Sequence, residues 1–305
     1  MYEAFFGLRE KPFALTPNTD FLVQLAPYQA CLNLLRVALG EGEGFIKITG
    51  EVGTGKTLLC RALLNLLDSE QYQLAYLPNP SLTPLDLRQA VARELHVEGI
   101  EQLDSMGLLD ALNRRLIELA VAGRSVVLLI DEAQALPEET LEALRLLTNL
   151  ETERSKLLQV VLFGQPELDA ILERNEFRQL RQRITFSYRL RPLDETDANR
   201  YLQERLAVAG LRGDQPFGKA AVRMLVRGSG GIPRLLNILA HKSLMVAFGE
   251  GRRLVDKRHV ARALEDTEGS NAPGIAGWQW RVGLLVLVLL TAGVLGWPWL
   301  AEVWS

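Results

Sequence analysis

Eight residues constrain this chain more than any others: Gly50-Glu51-Val52-Gly53-Thr54-Gly55-Lys56-Thr57, a G-x-x-x-x-G-K-T run. It closes "GFIKITG", a short β-rich run, and leads into "TLLCRALLNLL", whose apolar positions recur at helical spacing. Strand, glycine loop and helix in that order make a phosphate cradle. The glycines let successive backbone N–H groups curl around phosphate oxygens at the positive end of a helix. Lys56 is placed to reach the β- and γ-phosphates, and the Thr57 hydroxyl to ligate Mg²⁺. The whole stretch from Gly50 to Thr57 is therefore the expected nucleotide-binding element.

A second element extends this from binding to chemistry. "SVVLLI", residues 125–130, has the continuous apolar character of a parallel strand buried on both faces, and it is closed by Asp131 and Glu132. Asp131 at the strand edge is placed to hold the Mg²⁺ shell, and Glu132 to orient or deprotonate an attacking water. The paired acids make hydrolysis the natural expectation. "YQLAYL", "LLQVVLF" and "ITFSYRL" read as further strands, alternating with helical patterns near 83–96, 105–122, 137–149 and 166–174. That alternation predicts a doubly wound parallel α/β sheet.

Gln165 directly follows the strand pattern "LLQVVLF", where its amide could bond both a γ-phosphate and a water; a turn before Pro166 is the other reading. Phosphoryl transfer also calls for an arginine. "FRQLRQRITF" offers Arg178, Arg181 and Arg183, of which Arg181 or Arg183 could reach a neighbouring subunit's nucleotide. Arg234, in "GSGGIPRLL", could reach its own. A solvated basic cluster is the competing reading for the arginines.

Beyond residue 193 the strands stop. Residues 194–267 read as four helices broken by "GLRGDQPF", "GSGGIPR" and "FGEGRRL", a second, helical domain. "EGSNAPGIAG", 268–277, is small and turn-rich, as linkers are. Then comes an apolar tail. The 22 residues from Trp278 to Trp299 would make about 33 Å of helix, enough for a hydrocarbon core of about 30 Å. Residues 282–297 carry no charge, and Trp278, Trp280, Trp297 and Trp299 flank them like an aromatic belt. Arg281 on the near flank points to a cytoplasmic main body. A helix docked on the protein itself is the alternative. Ala292 and Gly296, one turn apart, could admit a close partner helix.

Composition narrows the classes. With 305 residues and 48% hydrophobic side chains the chain can bury a sizeable core, and a net charge of −3 gives no global basic footprint for nucleic acid. Cys31 and Cys60 lack metal-type spacing and read as packing residues in a reduced compartment. "MYEAFFGLREKPF" lacks the basic then apolar pattern of a signal peptide, so the N-terminus is expected in the cytoplasm.

Taken together, "YEAFFGLREKPFALTPNTDFL", "GEGFIKITGEVGTGKTLLCRALL", "LLIDEAQAL", "LLTNLETERSKLLQVVLFGQPELD", "FRQLRQRITFSYRL" and "GIPRLLNILAHKSL" resemble the AAA+ ATPases, and more narrowly the ExeA/GspA-type family. The resemblance covers about residues 1–267. It implies a P-loop AAA+ core of five parallel strands over 1–192 and a C-terminal helical lid domain over 193–267. It further implies ATP and Mg²⁺ as ligands, and a homo-oligomer, a ring or partial ring, that puts an arginine into the adjacent site. A role in envelope secretion or pilus assembly, with assembly proteins of that machinery as partners, is the implied function. Carried onto matching positions, Lys56 and Thr57 bind nucleotide and metal, Asp131 and Glu132 are the paired acids, Gln165 is the first sensor and Arg234 the second. Gln165 stands where Asn or Thr is usual in AAA+ proteins at large, and agrees with the narrower family. One transmembrane helix, 278–300, is expected in a bacterial inner membrane, with 301–305 as a short periplasmic tail. This length resembles the short, MshM-type members that serve mannose-sensitive haemagglutinin pili, without the periplasmic cell-wall module of the long ones. Two other functions stand beside assembly ATPase: a nucleotide-gated scaffold with little turnover, and a DNA-linked AAA+ protein related to transposition helpers.

Overall fold

The most continuously apolar runs become the middle of a sheet. In the computed structural model, which describes residues 1–16, 23–78, 80–150 and 156–268, five strands form: β1 (Phe45–Gly50), β2 (Tyr72–Leu77), β3 (Ser125–Ile130), β4 (Leu158–Gly164) and β5 (Ile184–Leu190). All pair in parallel, in the order β2-β3-β4-β1-β5. Every residue of the central β4 is buried, whereas the edge strand β5 alternates between half-buried and exposed positions. That difference is what covering both faces of the middle, but not of the edge, requires.

Twelve helices are described: α1 (Tyr2–Phe6), α2 (Ala26–Gly40), α3 (Lys56–Leu66), α4 (Pro84–Glu94), α5 (Ser105–Val121), α6 (Glu138–Leu147), α7 (Pro166–Leu172), α8 (Arg178–Arg183), α9 (Glu195–Val208), α10 (Lys219–Ser229), α11 (Pro233–Gly249) and α12 (Lys257–Glu265). Their starts follow local chemistry. The side chains of Thr83, Asp104, Asp194 and Asp256 accept from the first-turn N–H groups of α4, α5, α9 and α12. The four-helix reading of 194–267 agrees with α9–α12 in number and in the position of its breaks.

The period-2 alternation of the strands divides the core in two. Val126, Leu128 and Ile130 of β3 join Leu158, Val160 and Leu162 of β4 against α4, α5, α6 and α7. Val127, Leu129, Val161 and Phe163 face the other way, into a core that runs without a break through α2 and α3 to α9–α12. Cys31 and Cys60 are fully buried there, and burial pushes the Cys31 thiol up to about 12. A charged tie joins the sheet to a covering helix, where Lys47 of β1 pairs with Asp169 of α7.

Two elements add to the sequence expectation. The opening residues form α1, which rests on α11: Tyr2 shares a 2.7 Å hydrogen bond between its hydroxyl and His241 Nδ1, and Phe5 meets Phe248 edge-on at 5.3 Å. The arginine cluster before β5 forms the short helix α8. The expected linker beyond residue 268, the 278–300 span and the 301–305 tail lie outside the described residues. Among the described residues no helix is long and apolar enough to cross a membrane.

Candidate nucleotide-binding site

Parallel pairing gathers the strand ends that matter. Thr49 of β1 lies beside Gly164 of β4, and Ile130 of β3 beside Leu162, so the residues that follow these strands emerge along one edge of the sheet. Gly50 runs into the glycine loop, Ile130 into Asp131, and Gly164 into Gln165. The carboxyl ends of parallel strands are where such sheets bind ligands.

The loop is held mostly by itself. Lys56 Nζ, on a side chain buried at the start of α3, donates to the carbonyls of Gly50 (2.8 Å) and Glu51 (3.0 Å). The Thr54 hydroxyl donates to the Glu51 carbonyl at 2.8 Å, and from α2 the Tyr28 hydroxyl donates to the Thr54 carbonyl at 2.8 Å. Burial pulls the Lys56 ammonium below its ordinary range, against the charges of Glu132, Asp131, Glu51 and Glu167. A desolvated cation bonded to neutral carbonyls is well matched to an incoming anion.

Behind the loop sit the two acids, shifted in opposite directions. Asp131 is 2% exposed, and burial raises its carboxyl despite hydrogen bonds from the Thr57 side chain and the Glu132 N–H (3.0 Å for the latter). Glu132 takes a left-handed backbone at φ 53°, which costs a side chain-bearing residue about 1 kcal/mol and turns its carboxylate toward the cleft. There Oε2 accepts from Gln134 (2.7 Å) and Gln165 (3.0 Å), while Gln134 Oε1 accepts from the Gln165 N–H (2.9 Å). Burial pushes the Glu132 carboxyl upward, but these two amides and the Lys56 charge outweigh it and leave the group below its ordinary value. The pair therefore offers one carboxylate held by two amides and one buried beside the Thr57 hydroxyl.

The opposite wall comes from the N-terminal segment and from α9 and α11. Arg234, in the first turn of α11, donates its N–H to the Gly53 carbonyl at 3.1 Å. A Cβ on Gly53 would lie 2.7 Å from Arg234 Cβ, so this contact needs glycine. The turn before α11 needs another: a Cβ on Gly231, φ 73°, would lie 2.1 Å from the Leu193 carbonyl oxygen, and Leu193 N–H donates to Gly231 O at 2.8 Å. Arg205 of α9 then straps the N-terminal segment down, donating to the carbonyls of Pro12 (2.6 Å) and Ala14 (3.0 Å). Between the walls lies a cavity of about 330 Å³.

Val52, Gly53, Gly55, Lys56, Thr57, Glu132 and Arg234 line that cavity, with Gly50, Glu51 and Thr54 shaping the loop behind. Gln165 reaches it through Glu132. Arg181 and Arg183 do not line it. Arg181 donates to its own Glu173 carbonyl (3.1 Å), and Arg183 to Arg145 O (3.4 Å) and the Thr148 hydroxyl (3.2 Å). Sequence reasoning missed Gln134, Tyr28, Tyr201, Arg205 and Asn237. A signal existed for Tyr201 and Arg205: an arginine four residues after a tyrosine, on the α9 face that also carries buried Leu202 and Leu206.

Residues 39–172 match the model of the AAA domain. General secretion pathway protein A of Aeromonas hydrophila is 42% identical over 302 residues, 97% of this chain and 54% of that protein. The ESX-1 secretion system protein EccA1 of Mycobacterium leprae (strain TN) is 29% identical over 173 residues, 52% of this chain and 27% of its own. The chain thus spans about half the length of the first relative and about a quarter of the second. Among solved structures, the ORC2 protein of Aeropyrum pernix superposes with a TM-score of 0.63 at 16% identity, over 85% of this chain and 72% of that one, a likeness of fold. The chain thus carries a stretch that matches the AAA domain and, along nearly its whole length, is similar to about half of general secretion pathway protein A.

Proposed function

We propose that the chain hydrolyses ATP to assist assembly of a type II secretion or type IV, MSHA-like pilus apparatus, as a homo-oligomer tethered in the inner membrane by residues 278–300 with its ATPase part in the cytoplasm. The observation that carries the hydrolytic reading is the convergence of Lys56, Thr57, Glu132 and Arg234 on one cleft, with Asp131 hydrogen-bonded to Thr57 behind them. The identity to general secretion pathway protein A supports the secretion system as the setting.

In this reading Lys56 exchanges the Gly50 and Glu51 carbonyls for phosphate oxygens as nucleotide enters. Thr57 and Asp131, already hydrogen-bonded to each other, fit Mg²⁺: a hydroxyl and a carboxylate are hard oxygen donors, and among the described residues no cluster of three or more His, Cys, Asp or Glu side chains competes as a cage. Bound Mg²⁺ would neutralise charge on the β- and γ-phosphate oxygens. Glu132, ionised at neutral pH, orients the attacking water and accepts its proton. Gln165, bonded to Glu132, couples that carboxylate to the γ-phosphate position. Arg234 brings charge from the helical lid, taken as residues 193–267, and Arg181 or Arg183 supplies the arginine across a subunit interface. Arg183 is the more committed of the two to its own subunit, through α6.

The purified full chain in detergent tests this reading with two variants. Lys56→Ala is expected to lose nucleotide binding, and Glu132→Gln to bind ATP while hydrolysing it at least about a hundredfold more slowly. Unchanged turnover in both would overturn the mechanism. A second reading, a nucleotide-gated scaffold with little turnover, draws on the two amides that hold Glu132 and the carbonyls that satisfy Lys56. Burst hydrolysis without steady turnover, with oligomer size following bound nucleotide, would favour it.

A further inference from the structure

The overall charge hides a local excess. Residues 219–262 carry ten Lys or Arg against Glu250 and Asp256, although the whole chain sums to −3. Both acids are already engaged: Glu250 meets Arg262 and His259, while Asp256 caps α12 and pairs with Arg258. Lys219, Arg252 and Lys257 are exposed and form no ion pair among the described residues. They gather at one end of the helical bundle α9–α12. The Gly218 N–H donates to the Val255 carbonyl at 3.1 Å, which sets the starts of α10 and α12 side by side, and the Arg252 N–H closes the end of α11 on Ala247 O at 2.9 Å. Apolar side chains stand out from the same tip. Met245 and Phe248, one turn apart on α11, and Leu254 after it are between 37% and 60% exposed. Phe5 of α1 meets Phe248 edge-on there and carries the Arg253 guanidinium 5.6 Å over its ring.

We propose that this tip is a membrane-contact surface: Met245, Phe248 and Leu254 enter the headgroup layer of an anionic bilayer while Lys219, Arg252, Arg253 and Lys257 lie among its phosphates. Cations beside protruding apolar ends match a layer of charge above a layer of hydrocarbon. A nucleic-acid backbone would answer the cations and leave the apolar ends in water. The chain also has the reach. The nine residues of α12 carry its end about 14 Å from the tip at ~1.5 Å per residue. From Glu268 to Trp278 is ten residues, enough to span up to about 33 Å when extended, so the apolar run that begins at Trp278 and the tip can meet one bilayer surface. This inference rests on the reading of 278–300 as a tether and goes beyond it, since a tether alone leaves the helical bundle free of the surface.

The test places the full chain in nanodiscs of phosphatidylcholine, alone or with phosphatidylglycerol, with a fluorophore on Leu254→Cys and nitroxide-headgroup lipid as the quencher. The two native thiols are fully buried and spared. Quenching is expected with phosphatidylglycerol and not without it, and about 1 M NaCl, which screens charges beyond about 3 Å, should remove it. Arg252→Glu with Lys257→Glu should lower the quenched population at least about fivefold, whereas Arg252→Lys with Lys257→Arg should keep it. The same label on Val121→Cys, exposed at the end of α5 on the opposite face of the sheet, should stay unquenched. Equal quenching in the two lipids, quenching in neither, indifference to the charge reversals or equal quenching at Val121→Cys would overturn the proposal. So would a Leu254→Cys signal that answers added duplex DNA and not phosphatidylglycerol, which would assign the surface to nucleic acid. A chain that leaves phosphatidylcholine discs in a salt wash would overturn the tether reading instead, and co-elution reports that separately from the label.

Discussion

The loop-side wall of the cleft is closed largely by residues close in sequence: Lys56 bonds Gly50 and Glu51, Thr54 bonds Glu51, and Glu132 bonds Gln134. The facing wall is closed by residues from opposite ends of the chain, Arg205 with Pro12 and Ala14, Arg234 with Gly53, and Tyr2 with His241. Each contact of the first wall closes within its own short segment, around β1 and α3 or just past β3. The second exists only when the fold is complete, because bringing such distant residues together costs chain entropy that many contacts must offset. Damage to the first wall should therefore show in nucleotide handling with little loss of stability, and damage to the second in both together.

The largest effect should come from the loop side. Lys56→Ala is expected to weaken ATP binding at least about a hundredfold with a thermal midpoint within about 2 °C of the parent, read by calorimetry and nucleotide titration. A large fall in midpoint would break the comparison. On the far wall, Gly231→Val should destabilise by about 3 kcal/mol or more, because its Cβ has no room at the Leu193 carbonyl and its φ is left-handed; denaturant unfolding checks this. Arg205→Leu should cost about 2 kcal/mol, leaving the Pro12 and Ala14 carbonyls without their donor, and should weaken ATP binding in the same variant. Loss of stability with unaltered affinity would separate the strap from the site.

The smallest effect concerns pH. Burial holds the His241 imidazolium below its ordinary value, aided by Lys11 and opposed by Glu3. Because the folded value is depressed, the unfolded chain binds the proton more readily. The stability this group contributes is complete above its unfolded value, near 6.5, and is lost as pH falls through the folded value. A drop of about 1 °C in Tm between pH 7 and 5.5, flattened in His241→Asn, is expected from melts in matched buffers.

The two walls also differ in how far the sequence revealed them. Gly50–Thr57 and Asp131–Glu132 were legible because each motif works through neighbours in sequence, and the strand patterns around them fixed the sheet. Gln165 was legible as a residue following a strand, but its bond to Glu132 was not, since that required knowing that β3 and β4 are adjacent. Arg205 and Asn237 were passed over because a polar residue on an apolar helix face has no local partner to announce its use. Their meaning appears only when α9 and α11 close on residues 12–16 and 23–28. Glu132's left-handed backbone was likewise hidden, as nothing in "IDEAQAL" demands it.

The strap has a mechanical consequence. Through Arg205 and the Tyr2–His241 pair, the first sixteen residues serve as a handle whose far end is the floor of the cleft. The contacts that leave that handle run through Arg205 to Tyr201 and from there to Asn237, on α9 and α11. Ala14, Leu15 and Thr16 of the handle line that cavity, so a tag or truncation at the N-terminus is an intervention at the candidate site, although every motif that marks it lies at residue 50 or beyond.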